Sequence, residues 1–310
     1  MTSRSRNSFF VLLLIFCAAP ASRALAADEP FTRTQDVIYG RKFGTALTLD
    51  VIAPKENANG AAIIWVISGG WYSNHDSINP GNVGEYLKRG YTIFAVVHGS
   101  QPKFTIPEVL EDMHRSVRFI RSRAEQYKID PNRIGITGGS AGGHLSLMQG
   151  TTGTDGKADA KDPIDRLSSR VQAVACFFPP TDFLNYGKPG ENALGVGILK
   201  DFKAPFDFKE YDGALRAFVP ITDENKRLEI GKAISPVYHV SSDDAPALIV
   251  HGDADTLVPI QQAEIIIARF KEVQVPCDLV VKPGAQHGWA GMDKDQLTMA
   301  DWFDKYLAKK

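Results

Sequence analysis

The 310-residue sequence is short of cysteine, of net charge and of long apolar runs. Its 3 Cys are too few for a disulfide framework in a chain of this length. The 35 Lys and Arg nearly balance 36 Asp and Glu, and the formal charge of −1 leaves no electrostatic footprint for nucleic acid. With 44% apolar residues, so small a charge also excludes a disordered chain. The 27 Gly and 18 Pro follow no collagen-like period. No run approaches the roughly 20 apolar residues that span a bilayer. What is present is the composition of one large globular α/β unit.

The longest apolar run, Phe9 to Ala19, follows Arg4 and Arg6 and is followed by Ala24-Leu25-Ala26. That order predicts a signal peptide over residues 1–26 with cleavage before Ala27, and hence a secreted or periplasmic chain of residues 27–310 without a stable membrane span. Loss of Arg4, Arg6 and Arg23 takes the formal charge from −1 to −4. Phe16 stands before Cys17 where a lipid-anchoring site wants a small residue. Cys176 and Cys277 lie in apolar strand-like runs, where a free thiol behaves as a small hydrophobe.

Strand and helix patterns then alternate. Asp36 to Tyr39 and Ala46 to Ala53 predict an opening hairpin, with Gly40 and Gly44 as turn residues between them. Ala61 to Ile67 is a continuous apolar run of the kind buried on both faces, repeated at Tyr91 to Val97, Arg133 to Thr137, Val171 to Phe178 and Ala247 to Val250. Pro107 to Tyr127, Gln261 to Val273 and Met292 to Leu307 carry helical periodicity. The alternation predicts an α/β fold with a mostly parallel central sheet and helices on both faces. Thr181 to Val240 breaks the rhythm with scattered Pro, Gly and aromatics, and predicts an inserted cap region. The polar stretch Gly150 to Asp162 reads as a solvated loop; its Asp155, Asp159 and Asp162 do not have calcium-loop spacing, and no metal is assigned.

Gly138-Gly139-Ser140-Ala141-Gly142 sits between a strand pattern and a helix pattern, the setting in which G-x-S-x-G holds a nucleophilic serine on a sharp turn. A serine hydroxyl needs a base to take its proton. In this architecture the chain order is Ser, acid, His. His75, His98 and His114 come too early, His144 lies one turn after Ser140, and His239 and His251 precede the best acid; His287 is left, in a loop after the strand-like Asp278 to Val281. Of Asp253 and Asp255 in the loop after Ala247 to Val250, Asp253 has the place of a turn former and Asp255 is the chosen acid. Backbone donors for a developing oxyanion are expected from Gly69 and Gly70, directly after the strand ending at Ile67, and from Ala141. Trp71, Tyr72 and Trp289 are candidate substrate contacts.

Taken together, Ser68-Gly69-Gly70-Trp71, Gly138 to His144, His251-Gly252-Asp253-Ala254-Asp255 and Gln286-His287-Gly288 resemble the α/β-hydrolase fold. Within it they are similar to the branch of hormone-sensitive-lipase-like carboxylesterases and bacterial feruloyl and acetyl-xylan esterases. The resemblance covers roughly Asp36 to the C-terminus and implies a serine carboxylic-ester hydrolase working without metal or organic cofactor. The implied substrates are small-molecule or polysaccharide-linked esters. Two departures stand out. The oxyanion motif of such relatives usually reads His-Gly-Gly-Gly, where this chain has Ile67-Ser68-Gly69-Gly70; many relatives carry Tyr-Arg after the fourth strand, where it has His98-Gly99. Alternatives are a serine peptidase of prolyl-oligopeptidase type and a non-catalytic binding member of the fold.

Overall fold

The computed structural model describes residues 29–309; the expected signal segment 1–26 and Cys17 lie outside them. The chain opens with β1 (Phe31–Lys42) and β2 (Thr45–Pro54), then β3 (Ala62–Ile67), α1 (Gly84–Lys88), β4 (Thr92–Val97), α2 (Ile106–Ser122), α3 (Ala124–Tyr127), β5 (Ile134–Gly139), α4 (Ala141–Thr152) and β6 (Ala173–Phe177). After β6 come a small hairpin of β7 (Lys209–Asp212) and β8 (Ala217–Pro220), α5 (Glu224–Ala233), β9 (Ala247–Gly252), α6 (Gln261–Glu272), β10 (Cys277–Lys282) and α7 (Met292–Leu307). Eight strands form one sheet in the order β1-β2-β4-β3-β5-β6-β9-β10. β2 runs antiparallel to both its neighbours, and every later pair in the sheet is parallel. This is the α/β-hydrolase architecture expected from the sequence.

Strands buried on both faces need apolar side chains pointing both ways. Ile64, Phe94, Ile136, Val174 and Ile249 pack on one side with Val109 and Met113 of α2, Leu145 of α4 and Ile266 of α6. Ile63, Ile93, Ala173 and Leu248 pack on the other with Tyr86 of α1 and Met299 and Phe303 of α7. Gly135 shows how closely α7 approaches: a Cβ there would lie 2.6 Å from the Phe303 ring.

The helix expected over Pro107 to Tyr127 is two helices. α2 starts with a capping box, Glu108 accepting the Thr105 N–H at 2.8 Å, and Arg123 interrupts it before α3. Lys128, at φ 54°, takes the left-handed conformation that closes α3. In the opening hairpin the turn is Phe43-Gly44 alone. Gly40 is a strand residue beside a register shift, because its missing side chain makes room for Leu47 and Arg115.

The segment expected as a cap, Thr181 to Val240, holds the β7–β8 hairpin and α5. Its aromatics Phe183, Tyr186, Phe206 and Phe208 are buried in the same core cluster as α2, α4 and α6. Cys176 on β6 and Cys277 on β10 are both free, and β9 lies between their strands. Two strand spacings, about 9.5 Å, exceed the Cα separation that a disulfide permits. Burial raises both thiols.

Candidate active site

In a parallel sheet, loops that leave the C-terminal ends of neighbouring strands gather at one edge. β5 ends there in a turn that places Ser140 at φ 54° and ψ −119°. The glycines around it answer to sterics. A Cβ on Gly138 would lie 2.6 Å from the Gly142 backbone, one on Gly142 3.0 Å from the Val66 carbonyl, and one on Gly143 2.8 Å from the Phe177 carbonyl. Only small residues let α4 leave β5 so steeply, and the strain lifts Ser140 above the sheet, where it is partly exposed.

His287 Nε2 lies 3.0 Å from Ser140 Oγ, and His287 Nδ1 lies 2.7 Å from Asp255 Oδ2. A carboxylate only accepts, so Nδ1 carries the proton and Nε2 is left to accept from the serine. Asp255 is buried, and its other oxygen accepts the N–H groups of Leu257 and Val258, both at 2.9 Å. Burial alone would raise its carboxyl. Hydrogen bonds from the two imidazoles of His251 and His287 and from the Val258 amide outweigh that and hold it well below the usual carboxylate range. Asp253, expected to bond nearby backbone as a turn former, has its Oδ1 on the distant Gly284 N–H at 2.6 Å and ties the acid loop to the histidine loop. Phe178 packs on His287 with ring centroids 4.4 Å apart.

The three expected oxyanion donors do not stand alike. The Ala141 and Gly70 amides have no protein acceptor among the described residues, whereas the Gly69 N–H donates to the Tyr72 carbonyl at 2.9 Å. The turn of which Gly69 is part closes on itself through that bond, so Gly70 and Ala141 are the donors left available. Gly70 sits at φ +54° with the Phe202 ring 2.6 Å from where a Cβ would be.

Of the expected substrate contacts, only Tyr72 is exposed. Trp71 is 3% exposed and is a core residue. Its ring packs on His144, Phe183 and Phe206, and its N–H bonds His144 Nδ1. Trp289 is half-buried, packs edge-on against Phe177 and Phe178, and spends its N–H on Asp295 at 2.7 Å.

His98 and Ser68, where the sequence departs from its relatives, touch: His98 Nε2 is 2.9 Å from Ser68 Oγ. At Gly99 a Cβ would meet Phe104, Asp112 and the Lys42 stem, all within 2.9 Å. Lys42 fills that space and bonds Asp112 at 2.7 Å, the carboxylate that also accepts the Gly99 N–H. Sequence reasoning missed the link because Lys42 and Gly99 lie on different segments of the chain; the two departures themselves were the available signal. Asp36, Asp50 and His75 also converge, but both Asp50 oxygens are taken by Arg33, His75 and the Asp36 amide. That group is a hydrogen-bonded clasp between the β1–β2 hairpin and the loop after β3.

The BD-FAE family model matches residues 49–270, from β2 through α6. The chain belongs to the BD-FAE family. Among curated relatives of this BD-FAE member, LipM of Mycobacterium tuberculosis is 26% identical over 272 residues, 86% of this chain and 58% of LipM. The esterase LipC of the same organism is 27% identical over 267 residues, 85% of this chain and 61% of LipC. The chain thus spans about three-fifths of the length of these relatives. A solved truncated form of a carbohydrate esterase from gut microbiota superposes with a TM-score of 0.71 at 27% identity, covering 91% of this chain and 99% of that one. An esterase of Thermogutta terrifontis has a TM-score of 0.66 at 23% identity, covering 88% and 92%, a likeness of fold.

Proposed function

We propose that this BD-FAE member is a serine hydrolase of carboxylic esters. The observation that carries the reading is the unbroken hydrogen-bonded line from Ser140 through His287 to buried Asp255. His287 Nε2 takes the Ser140 proton as Oγ bonds to the ester carbonyl carbon. The carbonyl oxygen gains the charge and is met by the Gly70 and Ala141 amides, each such donor being worth about 3 kcal/mol in the transition state. Asp255 steadies the imidazolium. The imidazolium gives its proton to the departing alcohol, leaving an acyl-serine. Water attacks that acyl group, with His287 again as base, and the acid leaves.

The substrate class we infer is acetyl or feruloyl esters of polysaccharide. Its support is the likeness to a carbohydrate esterase and a site whose Ser140, His287 and Gly69 are all open to solvent in part or in full. Export is inferred from residues 1–26, and no helix among the described residues is long and apolar enough to cross a membrane.

A fluorophosphonate probe tests the chemistry. The wild type should label on Ser140, and Ser140→Ala should not; labelling that survives the substitution, or a folded wild type that never labels, overturns the reading. Acetylated xylan, feruloyl esters, p-nitrophenyl esters of graded length and a prolyl peptide amide, assayed together, separate ester from peptide hydrolysis.

A further inference from the structure

His98 lies outside the triad and is 3% exposed, yet the sheet register brings it to the site. β3 and β4 are parallel neighbours with Ile67 opposite Val97. The next residue of each strand, Ser68 and His98, therefore emerges side by side at the edge that carries Ser140. His98 Nδ1 faces the Gly99 carbonyl at 2.7 Å, which can only accept, so that nitrogen bears the proton. Nε2 is then the acceptor, and the Ser68 hydroxyl donates to it. Burial lowers this imidazole to about 4, so it is a neutral acceptor at ordinary pH.

Ser68 stands between two fixed points. On one side is His98. On the other is the turn after the nucleophile, where a Cβ on Gly142 would lie 3.5 Å from the Ser68 carbonyl. The same two loops are joined again beyond it: the Ser73 N–H donates to Ser100 Oγ at 3.0 Å, and the Gln101 N–H to the Trp71 carbonyl at 3.3 Å. Gly69 and Gly70 follow Ser68 directly, so its position sets where the Gly70 amide points relative to Ser140.

We propose that His98 is a positioning residue for acyl transfer, holding the oxyanion turn in place through Ser68. This rests on the ester-hydrolase reading. With His98 buried and the Ser68 hydroxyl turned to it, the pair acts on the geometry of a donor whose worth is realised only in the transition state. Its loss should therefore lower kcat and spare KM.

The experiment is steady-state hydrolysis of p-nitrophenyl acetate by the full chain and its variants, with thermal unfolding run alongside. Ser68→Ala and His98→Leu should each lose roughly tenfold in kcat, with KM within about twofold. The double variant should fall no further than either single one, as partners in one bond do. His98→Gln can place an acceptor near the Nε2 position and should recover most of the rate. Unchanged kcat in folded Ser68→Ala, losses that multiply in the double variant, or a loss confined to KM overturns the proposal. If His98→Leu does not fold, Ser68→Ala, which removes one hydroxyl, carries the test alone. A wild type without turnover counts against the ester-hydrolase reading and takes this one with it; an active wild type matched by Ser68→Ala counts against His98 only.

Discussion

The Trp71 indole N–H donates to His144 Nδ1 at 3.1 Å. His144 Nε2, 2.6 Å from the Ile234 carbonyl, must then carry the ring's one N–H proton and donate it there. One buried imidazole thus connects the turn after β3, the helix that follows Ser140, and the end of α5. Trp71→Phe keeps most of the ring packing and leaves His144 Nδ1 without a donor. Stability should fall by about 1–3 kcal/mol, the cost of a buried acceptor left unpaired, as read by urea unfolding. A variant as stable as the wild type would show that the bond contributes nothing.

Gly69 and Gly70 should part company on substitution. A Cβ on Gly69 meets nothing within 4 Å, and its amide is already engaged by Tyr72. Gly70 combines φ +54° with the Phe202 ring in the way. Gly69→Ala should keep kcat within a few-fold, and Gly70→Ala should lose at least about 100-fold, the scale of one lost oxyanion donor. Steady-state kinetics decides, and the reverse order would reassign the donor.

Asp255→Asn should remove most activity, with a loss of up to about 10⁴-fold, because an amide favours the wrong tautomer of His287. Asp253→Ala cuts only the link to the Gly284 amide and should cost far less in kcat. Equal losses in the two variants would put the acid in doubt.

Acid should unfold the protein early. Burial lowers His98, His114 and His144 to about 4, and in the unfolded chain each titrates near 6.5. Between those values the unfolded chain binds protons that the folded one refuses. Stability should be level near pH 7 and fall as pH drops through that window, by up to about 3 kcal/mol for each imidazole. Urea titrations at stepped pH measure the slope. His114→Gln, beside Ser169 and Gln149, should flatten it.

That Ser140, Asp255 and His287 would lie together could be read along the chain, because the proposed chemistry imposes order and spacing. The glycines around Ser140 are needed by a steep turn, and His287 follows from elimination. The turn after β3 was less legible. Gly69 and Gly70 are alike as letters; a backbone bond to Tyr72 at one, and a left-handed φ against the Phe202 ring at the other, distinguish them only in the folded chain. Trp71 at a strand end reads equally as pocket wall or core, and the aromatics that bury it come from Thr181 to Val240, where no periodicity announces them. Gly40 shows the same limit in the fold: a glycine that looks like a turn serves packing inside a strand.

Phe183, Tyr186 and Phe206 belong to the cluster that also holds Leu145 behind the Ser140 turn and Ile249 of β9. A segment anchored in this way is expected to melt together with the sheet as one cooperative unit and not to swing as a lid. Loss of catalysis on heating and loss of near-ultraviolet ellipticity should therefore trace a single curve, and chains cut within the segment should fail to accumulate as folded protein.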